Sequence, residues 1–103
     1  NVGIIVFSKR KNSLVMKYHL DEHRIRAFSP SIDLDLIKDY LKGWTIICQG
    51  GKNGGKIGQA EMPYRFRWLT ADKSTMLQSS RPHAGLCENP EQVLSYLFEK
   101  YVL

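Results

Sequence analysis

The segment Tyr64-Arg65-Phe66-Arg67-Trp68 sets three rings and two guanidiniums at alternating positions. A period of two belongs to a β-strand, whose successive side chains leave opposite faces. On that parity Tyr64, Phe66 and Trp68 pack inward while Arg65 and Arg67 face water, so the pattern predicts a half-buried strand running to Leu69. The beginning of the chain reads the same way. Gly3 to Phe7 is a short β-branched run, Ser8 to Ser13 is a polar break, and Leu14 to Leu20 sets Leu14, Met16, Tyr18 and Leu20 against Val15, Lys17 and His19. Together they predict a hairpin. Asp21-Glu22 then turns the chain into a third strand, Arg24 to Phe28, in which Ile25 and Ala27 oppose Arg24, Arg26 and Phe28.

Two stretches read as helices. Ser29-Pro30 is an entry signal, since Ser caps free N–H groups and Pro is pre-set for the first helical position. Ile32, Leu36, Ile37, Tyr40 and Leu41 then form an apolar stripe that Gly43 stops. Near the other end, Asn89-Pro90-Glu91-Gln92 is a cap followed by Val93, Leu94, Leu97, Phe98 and Tyr101 on one face. Between the helices, Trp44 to Cys48 has the composition of a buried strand, Gly50 to Gly58 is a glycine-rich hairpin tip, and Thr75 to Ser79 completes a second set of three strands. The expected fold is therefore α+β in the order βββαβββα, a mainly antiparallel sheet of about six strands with two helices packed on one side.

The 103 residues are a usual size for one domain, and 43% hydrophobic residues can fill one core, so residues 1–103 read as a single α+β domain. No apolar run approaches the roughly 20 residues that cross a bilayer, so a membrane role is not expected. The chain opens Asn1-Val2-Gly3-Ile4, with neither an initiator Met nor a signal-peptide layout, and reads as a piece excised from a larger protein. Cys48 and Cys87 are too few for a disulfide scaffold, and Cys48 closes an apolar run as a buried free thiol would, which points to an intracellular setting, cytoplasmic or nuclear.

Motif chemistry narrows the function classes. Gly50 to Lys56 follows most of a phosphate-binding loop, but Ile57 stands where a Mg²⁺-holding Ser or Thr is needed. His19, His23, His83 and Cys87 lack a recognised metal-ligand spacing, so no metal or other cofactor is assigned. The Ser, His and Asp residues form no nucleophile elbow, and Asp33, Asp35 and Asp39 suit a helix cap and a solvated face. Catalytic residues are therefore not assigned, and this domain is expected to bind rather than catalyse.

Charge supplies the positive signal. The net charge is +5, and Lys9, Arg10, Lys11 and Lys17 meet no acid in residues 1–20. By strand parity Lys17, Arg24, Arg26, Arg65 and Arg67 share an outer sheet face, which Lys52 and Lys56 extend from the glycine-rich loop. Forked guanidiniums match phosphate oxygens, so this surface reads as nucleic-acid binding, with RNA or a single strand favoured. Phe28, Trp44 and Tyr18 are the rings available to stack a base, and a guanine cap held between two of them is a specialised version. The alternative is a protein-interaction domain whose cations meet an acidic protein or the remainder of the parent chain.

Overall fold

The structure is a computed structural model that describes residues 2–28, 30–71, 79 and 89–103. Its only sheet among the described residues is a two-stranded ribbon, β1 (Gly3–Ser8) and β2 (Ser13–Tyr18). The strands pair antiparallel from Gly3↔Tyr18 to Ser8↔Ser13. The tip closes through Asn12, whose φ of 49° lies in the left-handed region that Asn tolerates, and its N–H donates to the Lys9 carbonyl at 3.2 Å.

The other elements of the described residues are helical: α1 (Glu22–Phe28), α2 (Leu34–Gln49), a 3₁₀ turn at Lys52–Gly54, α3 (Gly55–Gly58), α4 (Met62–Thr70) and α5 (Pro90–Tyr101). The expected six-stranded sheet with two helices is thus corrected to two strands and five helices among the described residues. Arg24 to Phe28 belongs to α1, Trp44 to Cys48 to the second half of α2, and Tyr64 to Leu69 to α4. The expected strand at Thr75 to Ser79 falls outside the described residues, apart from Ser79. The hairpin and the C-terminal helix stand where the sequence puts them; Asn89 caps α5 by accepting the N–H groups of Glu91 and Gln92 at 3.1 and 3.2 Å.

The reason α2 runs through Gly43 is the stripe it carries. Ile37, Leu41, Trp44 and Cys48 recur at helical spacing and are all buried, so a strand at Trp44 would break a continuous apolar face. Asp33 caps its start, with Oδ1 accepting the Leu36 N–H at 3.1 Å; the expected entry at Ser29 lies outside the described residues. Gly50 ends it with φ 78°, its N–H donating to the Ile46 carbonyl at 3.0 Å. In α4, Pro63 occupies the first turn and Met62, Arg65, Phe66 and Leu69 form the inward stripe. An arginine inside that stripe is what gives the segment its strand-like alternation.

Both faces of the ribbon are covered. Leu14 is buried with Trp44, Ile47, Cys48 and Leu69, and Ile5, Phe7 and Met16 pack against this cluster from the same side. Phe7 stacks on Phe66 with ring centroids 4.9 Å apart. On the other face α5 lies along both strands, burying Leu94, Phe98 and Val102, with Lys17 Nζ 4.7 Å from the centre of the Phe98 ring. The helices therefore sandwich the sheet, and the expected open cationic sheet face does not form.

Candidate nucleic-acid interface

Arg65 is 8% exposed and turned into the protein. Its Nη1 donates to the carbonyls of Ile47 and Cys48, each at 2.8 Å, and its Nε to the Ala60 carbonyl at 3.1 Å. The last carbonyls of a helix have no partner within it and carry partial negative charge, so a guanidinium there satisfies both needs. Gly50 makes the room: a Cβ at that position would lie 2.9 Å from Arg65 Nη1. Arg65 is a structural clamp between α4 and the end of α2, which removes it from the expected cationic surface. The buried thiol of Cys48 beside it is pushed from its ordinary 9.0 up to about 11 by desolvation, against the opposing pull of Arg65.

Arg67 lies two positions on and is exposed. Helical geometry, at 100° per residue, points Arg65 and Arg67 to opposite sides and brings Arg67 next to Tyr64, three residues earlier. Tyr64 is 48% exposed. A ring and a guanidinium thus share the outermost face of α4, a pairing that strand parity had separated. The signal for it was the three-residue spacing, legible only once the segment is read as a helix.

The other cations fall into two groups. Lys9, Arg10 and Lys11 form the exposed hairpin tip, next to Phe7 and Leu14, which pack on the last two turns of α2 and on α4. Lys52 and Lys56 are exposed on the 3₁₀ turn and α3, which pack against the same end of α2 through Ile57. That loop is two short helical turns rather than a hairpin tip; the Gly51 N–H donates to the Gly58 carbonyl at 2.7 Å, closing it on itself. With Arg67 on the outer side of α4, three separate segments carry exposed cations.

Arg24 and Arg26 stand apart. They are exposed on α1, which is tied to α2 by the Glu22–Lys38 ion pair. The contact lowers the Glu22 carboxyl and raises the Lys38 ammonium through the hydrogen bond and charge they share. Lys38 precedes Cys48 by ten residues, about 15 Å along the helix axis. Lys17 lies over Phe98 between the ribbon and α5, so the seven expected phosphate contacts are not one surface.

Of the proposed stacking rings, Trp44 and Tyr18 occupy different environments. Trp44 is buried in the core at 7% exposure, and Tyr18 is 38% exposed at the open end of the ribbon. Phe28 closes α1, and its side chain is outside the described set.

One concavity opens beside the glycine-rich loop. It is a groove of about 330 Å³ between the outer face of α2, the glycine-rich loop and Trp68 of α4. Tyr40, Gly43 and Ile46 line one wall and Asn53 and Ile57 the other, with Asp39 as the one carboxylate among the described lining residues.

The fold defines a small α+β domain in which helices enclose a two-stranded ribbon and exposed cations stand on the hairpin tip, the glycine-rich loop and α4. The chain belongs to the family described as "Protein of unknown function (DUF3037)", whose model matches residues 1–102. No curated protein and no solved structure matches it. Among the described residues, no helix is long and apolar enough to cross a membrane.

Proposed function

We propose that this domain is a nucleic-acid-binding module, with RNA or a single strand as its ligand, that acts by binding rather than by catalysis in an intracellular protein. The observation that carries this reading is the set of exposed cations, Lys9, Arg10, Lys11, Lys52, Lys56 and Arg67, on three segments that pack against the last turns of α2 or belong to α4, where Glu61 is the only acid in the described residues of those three segments. Cations of one sign on separate, geometrically tied segments track a line of phosphates better than they pair with one carboxylate. The exposed ring of Tyr64 beside Arg67 supports a single strand, because unstacked bases offer a face to stack while a duplex hides it.

The test is a salt titration of binding to a fluorescent single-stranded RNA. Six phosphate contacts on a single strand give a log–log slope of about −4. An affinity that does not change between low and moderate salt removes the phosphate role. The rival ligand for the same cations is an acidic protein, and it would leave RNA strands bound no more tightly than inorganic polyphosphate.

A further inference from the structure

Gly43 sits in the interior of α2, where glycine weakens a helix, and the chain gains no packing from it: a Cβ at this position would meet no atom within 4 Å. Neither a positive φ nor a close approach requires a glycine there. What the missing side chain does is open the wall of the groove between α2 and the glycine-rich loop.

The groove's volume of about 330 Å³ is at the small end of ligand sites, enough for one compact ring system and not for a helix or a duplex. Its wall is mainly apolar, Tyr40 lines it, and Asp39 is the one charge among the described lining residues. Among those residues a phosphate meets that carboxylate and no cation. Lys52 directly precedes the lining residue Asn53, Lys56 directly precedes the lining residue Ile57, and both lysines are exposed. This division of charge fits a ligand that is anionic at one end and a flat, uncharged, hydrogen-bonding ring at the other.

We infer that the groove between α2 and the glycine-rich loop receives one unstacked nucleobase of the bound strand, guanine in preference to the others, while Lys52 and Lys56 hold the adjacent phosphates. This inference rests on the proposed nucleic-acid reading and names the part of the strand that is read. The preference follows from donor chemistry. A carboxylate only accepts, through two oxygens, and guanine alone presents two neighbouring N–H donors on its pairing edge. Adenine and cytosine set a bare ring nitrogen beside their amino group, and uracil flanks its single N–H with carbonyls, so each brings a lone pair toward Asp39.

Binding of single-stranded pentanucleotides to the full chain tests this, with the central position guanine, adenine, cytosine, uracil or abasic and the flanks uracil throughout. The guanine strand is expected to bind at least tenfold more tightly than the abasic strand. Gly43→Leu, which fills the groove with a helix-forming side chain, is expected to erase that difference without lowering the melting temperature or changing the affinity for the abasic strand. Asp39→Asn is expected to abolish the preference for guanine over adenine. Equal binding of guanine and abasic strands by the unaltered chain, or a guanine advantage that survives Gly43→Leu, overturns the inference while leaving phosphate binding intact. Failure of every strand to bind, abasic included, instead overturns the proposed function.

Discussion

Replacing Arg65 by Ala removes three hydrogen bonds to backbone carbonyls and leaves the end of α2 uncompensated in a buried place. Hydrogen bonds from a charged group contribute about 1.5–3 kcal/mol, and the orphaned carbonyls add to the loss, so urea unfolding should show destabilisation of about 3 kcal/mol. Arg65→Lys recovers part of this, because an ammonium lacks the planar fork. Arg67→Ala, by contrast, should change stability by less than about 0.5 kcal/mol and reduce the salt slope of RNA binding by about 1. Two arginines separated by one residue thus give opposite results in the two assays. Cys48 adds a pH dependence of known sign. Its thiol is raised to about 11 in the folded chain, so the fold favours the neutral form; that contribution is complete below about pH 9 and is lost as pH rises toward 11. Urea unfolding between pH 8 and 11 should fall more steeply for the native chain than for Cys48→Ala.

At the scale of elements, α2 carries the most information and also the clearest opportunity for change. Gly43→Ala should stabilise the chain by about 0.5–1 kcal/mol, since the helix interior gains a better former and the new methyl meets no atom within 4 Å. Thermal unfolding checks this directly. Local reading succeeded where an element's signals are short-range and agree. The hairpin is announced by alternation on both sides of a polar break, and α5 by Asn89 and Pro90. It failed where two periods compete. Tyr64 to Trp68 satisfies a strand, yet Met62, Arg65, Phe66 and Leu69 satisfy a helix only if an arginine is accepted in the buried stripe. That acceptance depends on carbonyls from a helix more than a dozen residues away, which no window over the segment contains. Gly43 misled for a related reason: the apolar stripe on either side of it belongs to one packed face.

For the whole molecule, the ribbon is stable because it is covered twice, as an isolated two-stranded hairpin is marginal in water. Ile4, Val6 and Val15 share the face of Lys17, on which α5 packs. A chain ending at Asn89 leaves that face bare and should lose its cooperative thermal transition, as read by circular dichroism. The candidate site was only partly legible beforehand. Lys52, Lys56 and Arg67 are exposed. Arg65 is buried, Arg24 and Arg26 lie toward the other end of α2, and Trp44 is in the core. The nearness of Tyr64 to Arg67 and the groove lined by Gly43 and Asp39 were not legible, because both arise only from neighbours that folding supplies.

Charge, apolar content, the ribbon and the terminal helix follow from the chain's own order of residues, because caps, turns and alternation act over a few positions. Which cations share an end, which arginine turns inward and where a groove opens were decided by tertiary packing. The physical reason is that a helix and a strand assign the same side chains to different faces, and only the burial of Leu14, Trp44 and Leu69 in a common core selects between them.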